Sequence, residues 1–414
     1  MKTDQTPTHS KLLPKAWLMV ILLCVVGCLN YLDRIMITTM RESIVDALPM
    51  TDAQFGLLTS VFLWVYGLLS PFAGFLADRF NRSHVIIASL FVWSIVTYLT
   101  AHATSFEELL VTRALMGVSE ACYLPAALAL ITDYHKGGTR SLATGIHMGG
   151  VMVGQSLGFL GGWIAERHHW TDAFSVFGAI GVVYAFVLAL LLRDAPDRPD
   201  STEPAVEKVN FFEAIKDLFK RKSFILLLVF WGLLGIVGWM IMGWLPTYYK
   251  EHFNLSQALA GLYATGYIYP VSLVGVLLGG ILADYWAKKN PRGRVLVPAI
   301  GLAIAAPAIF IASSTGVVYI AIICFMFYAL TRIFSDVNLM PILCMVSDKR
   351  YRATGYGVLN MFACIVGGAG IYVSGIMRDA DVDLSILFKI AAGSMLLCAA
   401  ILFTLKVKYS DEQA

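Results

Sequence analysis

Apolar runs of about 20 residues, the length that crosses a bilayer as a helix, recur along the chain between short polar segments. A membrane barrel would instead need alternating strands of about ten residues, and that pattern is missing from the sequence. Because only helices and closed barrels satisfy backbone polar groups in lipid, every run is predicted to be a helix. The predicted spans are 16–40, 53–77, 84–103, 107–133, 141–165, 172–192, 224–249, 258–284, 294–313, 316–346, 354–377 and 384–406.

Three short patterns occur in the same order in both halves of the sequence. These pairs are GFLADRFNRSHV at 74–85 with GGILADYWAKKN at 279–290, Ala-Thr-Gly at 143–145 with 353–355, and Leu124-Pro125 with Met340-Pro341. The repetition predicts an all-α membrane protein with twelve transmembrane helices in two pseudo-symmetric six-helix bundles. Transporters built this way bind substrate near the midplane, between the halves. The predicted divisions are a tail 1–15, a bundle 16–192, a linker 193–223, a bundle 224–406 and a tail 407–414.

The linker 193–223 is the longest polar break in the sequence. Its second part, NFFEAIKDLFKRK, has a set of apolar residues on one helical face, which predicts an amphipathic helix at the inner membrane surface. A linker helix in solvent is the alternative. The apolar residues of this face are Phe211, Phe212, Ile215, Leu218 and Phe219.

Composition and charge fit a membrane protein. The chain is 58% hydrophobic and 14% charged, where a soluble domain carries about 25% charge. Its net charge of +3 is too small to indicate a nucleic-acid partner. With the N-terminus inside, the outer segments hold few of the 31 Lys and Arg residues, which predicts cytoplasmic termini in a cell inner membrane. The outer basic residues are Arg41, Arg167, Lys250 and Arg378.

Sequence motifs of enzymes are missing. The seven Cys lie in apolar runs without metal-ligand spacing, and we interpret them as packing residues. No metal-ligand set, nucleophile elbow or phosphate loop is present, so neither an enzyme nor a cofactor is predicted. No cleavable signal peptide is expected either, because the first apolar run is too long for one.

Four charged residues lie well within the predicted spans of the first half, away from the span ends: Asp33, Arg34, Arg113 and Glu120. A charge at the bilayer centre costs about 2.5–3.5 kcal/mol even on the lenient insertion scale. Arg113 and Glu120 are seven residues apart and so project from one helical face. Span one brings Asp33 and Arg34 near the depth of Arg113, and we expect the four to form one cluster. The alternative is a purely structural salt-bridge network.

The chemistry of this cluster suits proton-coupled transport. Burial favours the neutral form of a carboxylate and a nearby Arg favours the charged form, so access to water and substrate can link protonation to conformation. Asp33 and Glu120 are the predicted proton carriers. Arg34 and Arg113 are their counter-charges, and one of them is free to bind an anionic substrate bidentately. Asp336 occupies the repeat position of Glu120 and is a possible substrate or second proton site; an i,i+4 pair with Arg332 is the alternative.

The loop Gly74-x-x-x-Asp78-Arg79-x-x-Arg82 resembles the loop motif of the major facilitator superfamily, although Asn81 stands where that family usually has Gly. The glycine-rich span five is similar to the family's fifth-helix motif but lacks the usual Gly-Pro. The resemblance implies twelve helices, alternating access and a monomer. We expect Asp78, Arg79 and Arg82, with Asp284 in the second half, to latch one conformation. Ordinary positive-inside charge is the alternative.

Two branches of the superfamily resemble spans one and four, through 30–34 (NYLDR) and 113–125 (RALMGVSEACYLP). One is the anion:cation symporter branch, which moves sugar acids and other organic anions. The other is the Spinster-like branch, which includes lysolipid and sphingolipid carriers. The resemblance implies substrate positions at Tyr31, Tyr66 and Asn360. His147 and Gln155 are further polar residues within spans that could line the site or join helices.

The sequence therefore predicts a secondary active transporter, with proton-coupled symport of a small organic anion of the sugar-acid type. A Spinster-like lipid carrier and a carrier of a neutral sugar are the alternatives. The expected partners are a small-molecule substrate, protons and the lipid bilayer. A channel is disfavoured, because duplicated halves around one charged midplane site suit alternating access.

Overall fold

The computed structural model describes residues 8–135, 139–195, 211–290 and 292–405. Those residues form helices joined by short turns, which confirms the predicted all-α class. The helices of the N half are α1 Thr8–Thr39, α2 Arg41–Ala47, α3 Asp52–Arg79, α4 Arg82–Thr100, α5 Phe106–Ala121, α6 Tyr123–Tyr134, α7 Arg140–Leu157, α8 Phe159–Arg167 and α9 Trp170–Leu191.

The C half repeats this arrangement after a short helix in the linker. Its elements are α10 Phe211–Lys220, α11 Lys222–Phe253, α12 Gln257–Gly261, a π-helical turn Leu262–Gly266, α13 Ile268–Ala287, α14 Gly293–Ala312, α15 Val318–Arg332, α16 Phe334–Val346, a 3₁₀ turn Lys349–Tyr351, α17 Arg352–Asp379 and α18 Leu384–Thr404.

Eleven helical segments among the described residues are long and apolar enough to cross a membrane. They correspond to eleven of the twelve predicted spans. The remaining prediction, 141–165, coincides with α7 and α8. Its many glycines, together with His147 and Gln155, lower its hydropathy. Several of these glycines, Gly150, Gly154 and Gly161, lie against α1.

Several predicted spans are interrupted where the sequence analysis expected one continuous helix. Span four divides at Cys122 into α5 and α6. Pro125 accounts for this break, since a proline ring clashes with the carbonyl four residues earlier, here that of Ala121. Span ten divides at Ile333 and span five at Gly158. The breaks at Cys122 and Ile333 lie beside the charged residues Glu120 and Arg332.

The linker helix α10 lies against α11 and α17. Ala214 and Leu218 are buried, whereas Phe212 is 81% exposed. The buried side of the helix is therefore rotated relative to the predicted apolar face. Residues 196–210 of the linker lie outside the described residues.

The two halves meet closely at one end of the bundle and separate toward the other. We call these ends the Arg378 side and the Arg82 side, after residues that lie there. Along α3 and α17, the Ser60 hydroxyl donates to the Gly368 carbonyl at 2.7 Å, and the Trp64 indole donates to the Ile365 carbonyl at 2.9 Å. Further along α3 toward the Arg82 side, Leu68 and Phe72 are exposed, at 53% and 67%. The close contacts between α3 and α17 therefore lie toward the Arg378 side, and Leu68 and Phe72 on the Arg82 side are left uncovered.

Candidate functional site

A buried ion pair joins the first and fourth spans. Arg34 on α1 donates from Nη2 to Glu120 Oε2 on α5 at 2.8 Å, and the two side chains are only 4% and 0% exposed. The same nitrogen lies 3.4 Å from Asn30 Oδ1, one helical turn away. The predicted pairing of a span-one charge with span four is present, and Arg34 is the residue that makes it.

Three aromatic rings cover the Arg34 guanidinium. Its Cζ atom lies 4.4 Å from the ring centroid of Tyr31, 4.8 Å from that of Phe62 and 4.7 Å from that of Tyr66. Phe62 and Tyr66 stack on each other one turn apart on α3. An Arg over aromatic faces is stabilised by the ring quadrupoles, the more so where water is excluded. The predicted substrate residues Tyr31 and Tyr66 thus cover the buried guanidinium of Arg34.

Asp33 lies on another side of α1 from Arg34. Its Oδ2 accepts a hydrogen bond from Thr97 Oγ1 of α4 at 3.2 Å, while Oδ1 has no hydrogen-bond partner among the described residues. No described cation forms an ion pair with this carboxylate. Since an unpaired buried carboxylate is costly to ionise, this environment suits a group that gains and loses a proton.

Arg113 is fully buried, but its guanidinium is not bonded to a carboxylate. Nη1 donates to the Met116 sulfur at 3.2 Å, and Cζ lies 5.2 Å from the Phe62 ring centroid. Nε and Nη2 have no hydrogen-bond partner among the described residues. The four predicted charges therefore form one joined pair, Arg34–Glu120, and two charges without an ion-pair partner among the described residues, Asp33 and Arg113. Phe62 lies near both guanidinium groups.

The second half contains a more accessible charged pair. Arg332 Nη1 donates to Asp336 Oδ2 at 2.6 Å, and the side chains are 21% and 29% exposed. Gly238 of α11 makes room for it, because a Cβ there would lie 3.0 Å from Arg332 Nη2. This i,i+4 pair, foreseen as the alternative for Asp336, is present and lies at the helix break of span ten.

Tyrosines surround the Arg332–Asp336 pair. Tyr269 and Tyr328 are close enough to Arg332 for electrostatic interaction, and Tyr356 is close to Asp336. Tyr31 of the N half interacts electrostatically with both Tyr269 and Tyr356. Tyr31 of the N half therefore lies within electrostatic reach of tyrosines that adjoin the charged pair of the C half.

The other predicted lining residues are more dispersed. His147 is fully buried between α1 and α6, with its ring 6.0 Å from that of Tyr123 and close to Gly27. Gln155 on α7 and Asn360 on α17 are half-buried. The structure does not bring His147 into contact with the Arg34–Glu120 pair.

The predicted latch residues make contacts within their own halves. Arg82 at the start of α4 forms an ion pair with Asp133 at the end of α6. In the C half, Arg294 donates to Asp284 at 3.1 Å. Arg79 ends α3, and the side chain of Asp78 lies outside the described residues. Neither Arg82 nor Asp284 forms an ion pair between the halves with any residue that the structure describes.

Sequence reasoning missed the ionic network that closes the Arg378 side. Asp52 accepts from Arg378 at 3.0 Å and also pairs with Arg41, while Arg378 donates to Glu251 at 2.8 Å. Lys250 lies 2.6 Å from Glu42. These residues sit at helix ends, where charge is common, so their composition alone gave no signal. Thr97 and Phe62 were also missed, because a Thr and a Phe are unremarkable in apolar helices.

Comparison with known proteins decides the family. The model of the Major Facilitator Superfamily matches residues 23–371. The chain belongs to the major facilitator superfamily. It is therefore a multi-pass membrane transporter, as the helices and the repeated halves predicted.

Relatives within the superfamily include Spinster homologues. Protein spinster homolog 3 of Danio rerio is 28% identical over 410 residues, which cover 91% of this chain and 79% of that protein. Protein spinster homolog 1 of Homo sapiens is 28% identical over 387 residues, covering 87% and 73%. Both alignments cover most of this chain and nearly three quarters or more of the relative.

Solved structures share the fold. A bacterial homolog of the human lysosomal transporter Spinster, inward-facing and unoccupied, superposes with a TM-score of 0.78 at 24% identity, covering 94% of this chain and 95% of that one. The nucleoside transporter NupG gives a TM-score of 0.74 at 14% identity, covering 94% and 99%. At these identities the likeness extends to the fold and not to the cargo.

Proposed function

We propose that this protein is a proton-coupled secondary transporter that carries an amphipathic, lysolipid-type molecule with a zwitterionic or neutral polar head. The proton is carried by Asp33 and Glu120 in the N half. The polar head binds between the tyrosines and the Arg332–Asp336 pair. Transport proceeds by alternating access of the central cavity.

This proposal rests on the bonding and burial of three arginines within the spans, Arg34, Arg113 and Arg332. Arg34 is bonded to Glu120 and covered by three aromatic rings, and Arg113 is fully buried. Arg332 is the partly exposed one and already has Asp336 as its partner. A small organic anion would need a cation that is both uncommitted and accessible, and Arg113, which bonds no carboxylate among the described residues, is fully buried. A paired Arg and Asp instead offer one charge of each sign to a zwitterionic head.

Coupling to protons is supported by the environment of the N-half carboxylates. Within the described part of the chain, Asp33 has no ion-pair partner, and Glu120 Oε1 accepts no hydrogen bond although Oε2 accepts one from Arg34. Protonation of Glu120 would weaken its bond to Arg34 and free that guanidinium. The relation to Spinster homologues supports the lipid-type alternative over the sugar-acid one.

Symport of a small organic anion is the second candidate, and one observation favours it. Asp336 is partly exposed, so a proton on its carboxyl would release Arg332 to bind a carboxylate of the cargo. The two candidates thus differ in whether the Arg332–Asp336 pair persists when cargo binds.

Purified protein in liposomes tests both candidates. Uptake of lysophosphatidylcholine, a hexuronate and a neutral hexose would be measured with and without an imposed pH gradient. The proposal requires gradient-dependent movement of the lysolipid. Uptake of the hexuronate alone would replace it with the second candidate, and uptake that ignores the gradient would remove proton coupling.

A further inference from the structure

Two helix N-termini at the Arg378 side are capped by carboxylates from the opposite half. Asp379, at the end of α17, accepts from the backbone N–H groups of Asp52 and Ala53 at 2.8 and 3.0 Å. Those two residues begin α3. Glu166, near the end of α8, accepts from the backbone N–H of Ala258 in α12 at 2.6 Å. Each cap therefore joins one half of the transporter to the other.

The two caps are related by the internal repeat. Span two starts with Thr51-Asp52-Ala53 and has Gly56 three residues later, while span eight starts with Ser256-Gln257-Ala258 and has Gly261. Ala53 and Ala258, which donate to the caps, occupy the same position in this pattern. The acceptors lie at comparable places near the ends of α17 and α8, each four residues after a glycine, Gly375 and Gly162.

The glycines allow the close approach that the caps need. A Cβ at Gly375 would lie 2.4 Å from the Asp52 carbonyl oxygen, across the boundary between the halves. At Gly162 a Cβ would lie 3.3 Å from the Gln257 carbonyl oxygen, also across the boundary. The end of α17 can therefore reach the start of α3 only because no side chain intervenes. At Gly162 a methyl group would be tight against α12 and would clash with the Thr39 carbonyl oxygen of α1, at 2.7 Å.

A carboxylate cap of this kind stabilises the helix N-terminus that it contacts. The first turn of a helix has N–H groups without partners inside the helix, and its dipole favours negative charge there. A carboxylate from the other half satisfies these groups only while the halves are in contact. When the Arg378 side opens, both helix starts lose their acceptors together.

We propose that Asp379 and Glu166 form two symmetry-related caps that hold the Arg378 side closed, and that both must release before the cavity can open to that side. The ion pairs of Arg378 with Asp52 and Glu251 surround the Asp379 cap. The Glu166 cap lies beside Gln257, which donates to Ser43 at 2.9 Å. We call these contacts between the halves the gate. Its Asp379 side is held by ion pairs, and its Glu166 side by hydrogen bonds of uncharged side chains.

The role in a transport cycle rests on the proposed alternating access, but the closure itself can be measured without cargo or a pH gradient. Thr247 is a suitable reporter, since it is 5% exposed and lines a cavity of about 240 Å³ between the halves on this side. The full-length protein carrying Thr247→Cys would be reacted in detergent with a soluble maleimide. Mass spectrometry of the peptide that contains residue 247 gives the labelling rate despite the native cysteines.

Asp379→Ala and Glu166→Ala should each raise this rate by about 2- to 30-fold, the population change that loss of one helix cap corresponds to. The double variant should exceed both. Asp383→Ala is the matched control, because Asp383 accepts from the Ser385 backbone N–H at 2.7 Å and so caps α18 within one half. Its labelling rate should equal that of the parent protein.

Gly375→Ala tests the same gate without removing a charge. Its added methyl group should push the halves apart and raise labelling, whereas Gly393→Ala, where a Cβ has nothing within 4 Å, should not. A parental labelling rate in the two cap variants and in Gly375→Ala would overturn the proposal, even if the protein carries cargo as proposed. Equal acceleration by Asp383→Ala would overturn it too, because the effect would then not depend on contact between the halves.

Discussion

Arg34 donates to Glu120 at 2.8 Å across 86 residues of sequence, and both side chains are buried inside the N half. Breaking a buried pair by removing one partner leaves an uncompensated charge in a medium that solvates it poorly. The pair therefore couples the position of α1 to that of α5. A proton on Glu120 would loosen this coupling without removing any atom of the cluster.

The Arg34–Glu120 pair should dominate the stability of the N half. Glu120→Ala and Arg34→Ala should each lower the free energy of unfolding by about 3–5 kcal/mol, and the double variant by less than the sum. Denaturation in detergent, followed by tryptophan fluorescence, measures this. Asp217→Ala is the control, because the Asp217–Arg221 pair of α10 is about one-third exposed and should contribute about 0.3–0.5 kcal/mol. Additive effects of the two core substitutions would contradict the pairing.

Asp33→Asn should separate proton coupling from cargo movement. The amide oxygen can still accept from Thr97, so the local fold is kept, but the side chain cannot carry a proton. Uptake driven by a pH gradient should fall to its rate without the gradient. Exchange of cargo between the two sides of the membrane, which needs no net proton flow, should continue. Full acceleration by the gradient in this variant would assign the proton to Glu120 or elsewhere.

Arg332→Gln and Asp336→Asn should weaken cargo binding. Each substitution removes one charge of the partly exposed pair, and a hydrogen bond to a charged group is worth about 1.5–3 kcal/mol, which corresponds to roughly 10- to 150-fold in the apparent Kd. Titration of cargo onto purified protein measures the change. Arg294→Gln is the matched control, because Arg294 also pairs with an aspartate, Asp284, but lies at the Arg82 side. If the control weakens binding equally, the pair is not the binding site.

The sequence predicted the spans and the buried charges because both depend on local composition. An apolar run of the right length, or a charge within one, can be recognised without its neighbours. The choice of partner could not be predicted in this way. Asp33 and Arg34 are adjacent and so point in directions about 100° apart on a helix, and only packing decides that Arg34 faces Glu120 while Asp33 faces Thr97.

The closure at the Arg378 side was harder to predict for a different reason. Asp379 and Glu166 lie at helix ends, where acidic residues are ordinary and need no explanation. Their role comes from helix starts that are 327 and 92 residues away in sequence, which only the tertiary fold brings near. The repeated Ala and Gly positions of spans two and eight were a usable signal, because they align with each other as the three recognised repeats do.

The glycines of span five support a final prediction, on the contact between α1 and α7. A Cβ at Gly154 would lie 2.1 Å from the Cys28 carbonyl oxygen, whereas a Cβ at Gly149, five residues earlier, has nothing within 4 Å. Small residues let membrane helices approach closely. An alanine should therefore destabilise the protein at position 154 but not at position 149. Gly154→Ala should lower the free energy of unfolding by about 1–3 kcal/mol through overpacking. Gly149→Ala should leave it unchanged or raise it by up to about 1 kcal/mol, since alanine restricts the unfolded chain.

Thermal unfolding of both variants in the same detergent checks this pair of outcomes, and proteoliposome uptake adds a functional reading. Because α1 carries Asp33 and Arg34, a displaced α1 should also disturb the Arg34–Glu120 bond, and Gly154→Ala should slow transport more than its loss of stability explains. Gly149→Ala supplies the reference for both measurements. Equal melting temperatures for the two variants would mean that α1 and α7 can separate at Cys28 without cost. The close crossing would then not be what holds α1, and the position of Arg34 would have to depend on its bond to Glu120 and its three aromatic neighbours alone.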